Sequence, residues 1–387
     1  MNSINEENMN IIKKDKNINP NSINSNNIID LQLKTSPEPN FIFQEDIIIN
    51  CHCAYGLNES FDVFKSITSD KTYLIISNKE NNNIEIIDII SKKIIKSIEG
   101  NNTRIIFLKY FLNPINNIEY LITADLKGLI KIINISDNYN IISKINSPKN
   151  FQNSWNFINC TLIFNIQINS QFLDIILVSS RARYEEEYPT KIYNISNGLF
   201  LKDISNTKIN KTRFIIPWYN ESNNLYYLIE FCEDLLIIVN ILLNEIYARL
   251  DEEKFKSYSS GFIHKINNID YLYAANSCSE IKIWNLIDKQ LVNIIKISNK
   301  YNNIRLYGLL IWNEKYLIVN DDTNKAIRII DLEQSKVISF INNRHKDSVR
   351  CVKRINLPEF GECLLTAGDD NIIKLWYIPK IIKDILE

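Results

Sequence analysis

The chain has 387 residues, of which 45% are hydrophobic and 23% are charged, a composition typical of a soluble globular protein with a large core. Its formal net charge of −1 gives no bulk attraction to nucleic acid or to an anionic membrane, so we expect no nucleic-acid partner. Glycine is scarce, with 8 residues, whereas asparagine and isoleucine are heavily used. Because asparagine tolerates left-handed backbone conformations, we expect it to replace glycine in turns.

The first segment, residues 1–40, is rich in Asn, Ser, Lys and Glu and contains only isolated Ile pairs. Such a composition buries too little apolar surface to offset the loss of chain entropy, so we predict that this segment is disordered. Its acidic start lacks the apolar stretch of a secretory signal, and the longest apolar run, residues 235–243, is too short to cross a bilayer. We therefore expect a cytoplasmic protein without a transmembrane segment, and we leave nuclear or cytoskeletal association open.

Seven cysteines are scattered along the chain, mostly within apolar runs, as is typical of small buried side chains in a reducing compartment. The close pair Cys51 and Cys53, with His52 between them, has the donor types of a metal site. However, the only other histidines are His264 and His345. A four-ligand zinc site needs a second cluster of this kind, so we predict neither a bound metal nor a cofactor.

Seven short runs with the apolar alternation of β-strands end at a regular spacing along the chain. Their last residues are Asp88, Asn134, Asn194, Asn240, Asn285, Asp331 and Tyr377. Subtraction gives successive spacings of 46, 60, 46, 45, 46 and 46 residues. Six intervals of this size define seven repeats, which is the pattern of a repeat architecture.

A second marker supports the same repeat, because a Tyr-Leu pair opens a predicted second strand in five units, at Tyr73, Tyr120, Tyr227, Tyr271 and Tyr316. Each unit holds four alternating strands, the content of one propeller blade. We therefore predict an all-β protein, a seven-bladed β-propeller of four-stranded antiparallel blades, over residues 41–378. Residues 41–50 form a spare strand before the first blade, and we expect this strand to complete the last blade. The tail, residues 379–387, reads equally as helix or strand.

The last repeat carries the most distinctive residues. It places His345 before the first strand, Thr366 in the second, Asp370 in the following turn and Trp376 in the third. In this it resembles a WD repeat, a blade of the WD-repeat propeller family. The resemblance implies that these four side chains form a hydrogen-bonded chain inside the blade. We interpret this quartet as structural rather than as a catalytic triad, and we predict no catalytic residue.

Other repeats depart from this signature. The fifth has Ala274 in place of the hydroxyl residue and Cys278 in place of the turn carboxylate, and the second has Lys127 and Ile133 at the carboxylate and tryptophan positions. We therefore expect the complete quartet in one blade only.

The one long interval, 60 residues, contains an extended connection at residues 180–190 in the third repeat. Its basic, aromatic and acidic residues are candidates for partner binding, namely Arg181, Arg183, Tyr184, Glu185, Glu186, Glu187 and Tyr188. Arginine and tyrosine are enriched at binding hot spots, which favours contact with a partner protein. The alternative, a solvated loop whose charges neutralise each other, carries equal weight.

Three tryptophans, Trp155, Trp218 and Trp312, lie in or beside predicted first strands, where packing between blades is the expected use. His264 occupies a similar position, and we predict that it is a packed core residue.

Two function classes follow from a propeller scaffold. The first is a non-enzymatic protein–protein interaction scaffold that docks partner proteins or peptides on its faces and loops. The second is a phosphoinositide-binding propeller at a membrane surface, a group that resembles this chain in blade number but carries an Arg-Arg-Gly signature that is absent here. An enzyme is disfavoured because three histidines and no clustered acid pair leave little to build a catalytic site.

Overall fold

A computed structural model describes residues 44–50 and 61–377, except 68, 79, 114–115, 126, 147–156, 169–170, 182–189, 205–213, 233–234, 252–256, 298–305, 313, 322–324 and 342–344. The described residues form 28 β-strands and no helix. The segment predicted to be disordered, residues 1–40, and the tail, residues 379–387, lie outside them, as do Cys51, His52 and Cys53.

The strands fall into seven groups that we number as blades in chain order. Blade 1 contains β2 (Phe61–Lys65), β3 (Thr72–Ser77), β4 (Ile84–Asp88) and β5 (Lys93–Ile98). Blade 2 contains β6 (Ile105–Leu112), β7 (Glu119–Asp125), β8 (Leu129–Asn134) and β9 (Asn140–Asn146). Blade 3 contains β10 (Phe157–Ile168), β11 (Gln171–Arg181), β12 (Thr190–Asn194) and β13 (Phe200–Ile204). Blade 4 contains β14 (Phe214–Asn220), β15 (Leu225–Phe231), β16 (Leu236–Asn240) and β17 (Glu245–Asp251).

The remaining blades follow the same plan. Blade 5 contains β18 (Tyr258–Ile266), β19 (Ile269–Asn276), β20 (Glu280–Asn285) and β21 (Gln290–Lys296). Blade 6 contains β22 (Leu306–Trp312), β23 (Tyr316–Asp321), β24 (Ala326–Asp331) and β25 (Lys336–Ile341). Blade 7 contains β26 (Val349–Leu357), β27 (Gly361–Gly368), β28 (Ile372–Tyr377) and the first described strand, β1 (Gln44–Asn50).

Seven four-stranded antiparallel sheets result, and the predicted seven-bladed propeller is confirmed. The first strands of neighbouring blades contact one another, as β2 does with β6 and β22 with β26, so these strands are innermost. In blade 7 the outermost strand is β1, which runs antiparallel to β28 with Gln44 opposite Tyr377 and Asn50 opposite Ile372. Strand β1, which precedes blade 1 in the chain, therefore completes the sheet of blade 7.

The antiparallel order also defines two faces. Turns from first to second and from third to fourth strands lie on one face, which we call the lower face. Turns from second to third strands and the connections between blades lie on the opposite, upper face. The apolar core lies between blades. For example, Ile76 of blade 1 and Leu375 of blade 7 belong to one buried cluster, so apolar burial joins the last blade to the first.

The regular end positions have a physical basis. The side-chain oxygen of the Asp or Asn that ends the third strand accepts hydrogen bonds from backbone N–H groups two or three residues later. Asn240 Oδ1 accepts from the N–H groups of Leu242 and Leu243, both at 2.9 Å, and Asp88 and Asn285 act in the same way. In blades 1 to 6 the sequence marker is therefore the residue that starts the turn from the third to the fourth strand.

Asparagine takes over part of the role of glycine. Eight of the sixteen described non-glycine residues with positive φ are asparagine, including Asn82, Asn244 and Asn371. The other eight include Lys92 and Lys289, so lysine also occupies left-handed turn positions, which we did not predict.

The outermost strands of blades 1 to 6 share a β-bulge at the same position. The register with the third strand skips one residue, which is Ile95, Ile142, Leu201, Tyr247, Val292 and Ile338 in turn. A bulge bends and twists the edge of a sheet, so these edges are poor templates for pairing with another strand.

Two of the three predicted core tryptophans, Trp218 and Trp312, are buried between blades, and Trp155 lies outside the described residues. The prediction for His264 is wrong. Its side chain is only partly buried, and its Nε2 lies 3.5 Å from Glu314 Oε2 of the neighbouring blade. His264 lies near the lower-face end of β18, where burial along the strand decreases, so alternation along the strand was not enough to predict its burial.

Candidate functional site

The structure brings the four residues of the last repeat together at the upper face of blade 7. His345 Nδ1 lies 3.0 Å and 3.1 Å from the two carboxylate oxygens of Asp370, and His345 Nε2 lies 2.8 Å from Thr366 Oγ1. Trp376 Nε1 donates to Thr366 Oγ1 at 2.8 Å. In the neutral imidazole, Nδ1–H therefore donates to Asp370 while Nε2 accepts the threonine proton.

Local sequence builds this site. A Cβ atom on Gly368 would lie 2.6 Å from His345 Nδ1 and 2.7 Å from Asp370 Oδ1, so only glycine fits between the ring and the carboxylate. Asn371 takes φ 61 and returns the chain into β28. Asp370 also accepts hydrogen bonds from the backbone N–H groups of Lys346, at 2.8 Å, and Ile372, at 3.2 Å.

Electrostatics hold the carboxylate ionised. Burial by itself would raise the pKa of Asp370, but the hydrogen bond from His345 and the electrostatic interaction with its ring, together with the two backbone N–H donors, hold that pKa below its ordinary value. The side chains of His345 and Asp370 are only 1% and 3% exposed. The threonine oxygen is enclosed and accepts the indole proton, so it is poorly placed to act as a nucleophile.

Blade 2 contains a reduced version of this arrangement that the sequence analysis missed. Thr123 lies opposite Lys131 as Thr366 lies opposite Lys374, and Thr123 Oγ1 donates to Asn101 Oδ1 at 2.9 Å. Asn101 Nδ2 in turn donates to the carbonyl of Leu129 at 2.7 Å. Asn101 precedes its threonine by 22 residues and His345 precedes Thr366 by 21, so this spacing was the available signal.

Blade 5 keeps the tryptophan without its acceptor. Trp284 corresponds to Trp376, but Ala274 stands where Thr366 would accept. Trp284 Nε1 is buried and has no hydrogen-bond partner among the described residues.

The structure describes only the two ends of the predicted partner-binding connection. Arg181 is the last residue of β11, at the upper face, and Thr190 begins β12. Arg183, Tyr184, Glu185, Glu186, Glu187 and Tyr188 lie outside the described residues. The structure therefore does not place these candidate side chains relative to one another.

Exposed apolar side chains are concentrated at the opposite face, a feature that the sequence analysis did not predict. Sixteen large apolar residues are exposed in the described part of the chain, and fifteen lie in lower-face turns or in the strand ends beside them. The exception is Phe340, near the upper end of β25. The most exposed group lies on blade 3, where Leu199 and Phe200 are 62% and 51% exposed and Leu201 follows.

Comparison with known proteins identifies the fold and leaves the family open. No protein-family model and no curated protein sequence matches the chain. Two solved structures that do match are crystals of BBS1N in complex with ARL6DN, one soaked with mercury and one with lead. Each is 10% identical with a TM-score of 0.65, and the matches cover 87% and 88% of this chain and 97% and 98% of those chains.

At that identity the likeness shows a shared propeller fold only. Within the described residues, no three His, Cys, Asp or Glu side chains are placed to hold a metal ion. None of the described segments is a helix long and apolar enough to cross a membrane.

Proposed function

We propose that this chain is a divergent WD-repeat propeller that serves as a non-enzymatic scaffold for partner proteins in the cytoplasm. The hydrogen-bonded quartet of blade 7 supports membership of the WD-repeat group. It also accounts for the main His/Asp/hydroxyl constellation of the sequence as an internal brace. The proposed scaffold needs no metal or cofactor.

The observation that carries the proposal is the exposed apolar rim of blade 3, Leu199, Phe200 and Leu201. Three consecutive large apolar side chains at a surface are typical of an interaction site. Phe200 is held in place, because its ring packs edge-on against Tyr193 with centroids 5.7 Å apart and Lys191 Nζ lies 5.2 Å from its centroid. A fixed aromatic anchor loses little conformational entropy when it binds.

The same blade contains the long connection between Arg181 and Thr190, so its two ends offer chemically different contacts. The rim is apolar and aromatic, while the connection is rich in arginine, tyrosine and glutamate. The BBS1N structures support the idea in general form, since a propeller of similar shape is there in complex with a protein, ARL6DN. The partner of the present chain is to be found by experiment.

The test is quantitative affinity purification of the full chain from its own cells, followed by mass spectrometry. Three variants are compared with the wild type: L199S/F200S/L201S at the rim, R181A/R183A/Y184A/Y188A at the connection, and L291S/V292S at the equivalent bulge of blade 5 as a matched control. We expect a near-stoichiometric partner with the wild type and the control that is lost from at least one blade 3 variant. An identical set of proteins for all four chains would refute the proposal for blade 3.

A further inference from the structure

The outer edge of blade 1 differs in chemistry from the rest of the rim. It comprises Ile90 and residues 91–97, with the sequence ISKKIIKS, and all eight residues are exposed. Ile94 and Ile95 are 57% and 48% exposed. The stretch contains three lysines and no acidic residue. We call it the blade 1 edge.

The one carboxylate at this turn is neutralised inside it. Asp88 is buried and accepts from the backbone N–H groups of Ile90, at 3.1 Å, and Ser91, at 2.9 Å, while Lys71 Nζ lies 3.3 Å from its other oxygen. The backbone hydrogen bond to Ser91, opposed by burial and reinforced by Lys71, holds the pKa of Asp88 below its ordinary value. The blade 1 edge therefore presents lysine and isoleucine outward on a turn that is internally fixed.

We propose that the blade 1 edge docks the protein on an anionic membrane surface, a function beyond that of a protein scaffold. The charge is complementary, because the three lysines of residues 90–97, a stretch without acidic residues, favour a negatively charged partner. Isoleucine supplies apolar surface that enters the boundary between headgroups and acyl chains, while lysine stems extend toward the headgroups.

Composition favours a bilayer over a protein partner. Protein interfaces are enriched in aromatic residues and arginine and depleted in lysine, whereas the blade 1 edge has only isoleucine, lysine and serine. Lys96 lies over the ring of Tyr139 in blade 2, with its Nζ 5.3 Å from the ring centroid. The exposed rim of blade 3 differs in this respect, because it contains the aromatic residue Phe200.

Shape favours the same partner. The bulge at Ile95 disrupts the regular edge that an added partner strand would need for pairing. Protruding apolar side chains flanked by lysines suit a broad, deformable surface. The blade 1 edge is the only one of the described outer edges in which both flanks of the exposed apolar pair are lysine, at Lys93 and Lys96.

The test is co-sedimentation of the purified full chain with vesicles of phosphatidylcholine alone or with about a quarter phosphatidylserine. We expect binding to the anionic vesicles that weakens as salt is raised. I94S/I95S is expected to lower the partition coefficient about tenfold through lost apolar insertion. K92N/K93Q is expected to lower it by a similar factor and to flatten the salt dependence, with asparagine chosen because Lys92 has φ 58.

The control is L291S/V292S, which removes the equivalent bulge pair of blade 5 and should bind as the wild type does. All the altered side chains are exposed, so each variant should fold as the wild type does. Thermal unfolding of each variant checks this. Absence of binding to anionic vesicles, or equal loss in the control, overturns the proposal. So does a blade 1 variant that loses a protein partner while vesicle binding stays unchanged.

Discussion

Lys353 Nζ lies 2.5 Å from Asp62 Oδ1, and this ion pair joins the innermost strand of blade 7 to that of blade 1. Asp62 Oδ2 also accepts the backbone N–H of Tyr110 in blade 2, at 2.8 Å. Both side chains are largely buried. One carboxylate therefore connects three consecutive blades across the point where the ring closes.

Replacing Asp62 with Asn should destabilise the protein, because it leaves the Lys353 ammonium buried beside a neutral amide. We expect a loss of about 3 kcal/mol in the free energy of unfolding, measured by denaturant titration. The amide oxygen still accepts from Tyr110, so the loss reports on the ion pair. D62N/K353M is the control. It should recover most of the lost stability, because neither asparagine nor methionine places a charge in this buried position. Equal instability of both variants would contradict this account.

The same pair predicts a pH dependence. Burial would raise the pKa of Asp62, but the charges of Lys353 and Lys109 and the hydrogen bonds of Lys353 and Tyr110 hold it below the ordinary value of 3.8. A lowered folded-state pKa contributes stability in full above the unfolded value, and this is lost as pH falls through the folded value. The difference in unfolding free energy between wild type and D62N should therefore shrink below pH about 4. A difference that stays constant with pH would show that Asp62 does not act through its charge.

In the quartet, Thr366→Val should cost about 2 to 4 kcal/mol, because it leaves both Trp376 Nε1 and His345 Nε2 buried without a partner. Thr366→Ser keeps the hydroxyl and should cost about 1 kcal/mol from the lost methyl group alone. Denaturant unfolding of the two variants measures the difference. If valine were tolerated as well as serine, the quartet would not be a structural brace.

Blade 5 offers the reverse experiment. Ala274→Ser should stabilise the protein by about 1 kcal/mol, because the added hydroxyl can accept from Trp284 Nε1, which has no partner among the described residues. Serine adds one atom, so overpacking is small. The control background is W284F, in which the same substitution should give no gain. A gain of equal size in that background would assign the effect to something other than the indole.

Gly198 has φ 69, and a Cβ atom there would lie 1.9 Å from Ser143 Oγ and 3.2 Å from Ser143 Cβ in blade 2. Gly198→Ala should therefore destabilise by about 2 kcal/mol, the sum of left-handed strain and a steric clash. G198A/S143A removes the serine hydroxyl, so the stability lost to the clash should be recovered. About 1 kcal/mol of backbone strain should remain. Full recovery would show that φ at this position carries no cost.

The repeat spacing was predictable from sequence because its marker has a local cause. An Asp or Asn that ends the third strand bonds to the turn that follows, and the side chain, turn and strand are adjacent in the chain. The quartet was predictable for a similar reason, since a resemblance supplied the four residue types and their order.

Other features depend on contacts between residues that are far apart in the sequence or that no local sequence pattern marks. Asn101 replaces the histidine in blade 2, but in an Asn-rich chain one more loop asparagine does not stand out. Asp62 and Lys353 are 291 residues apart, and neither lies in a pattern that points to the other. His264 alternates like a core residue, yet lies near the end of β18, where burial along the strand decreases.

The pairing of β1 with β28 sets the order in which the ring can be assembled. During synthesis β1 is made before every other described strand and β28 after them all, with 321 residues between Asn50 and Ile372. The outer edge of β28 stays open until the earliest strand returns to it. Blades 1 to 6 can form one after another as the ribosome advances, whereas blade 7 waits for residue 377. Loss of β28, residues 372–377, would leave β1 without its partner strand and would expose an unpaired edge of β27.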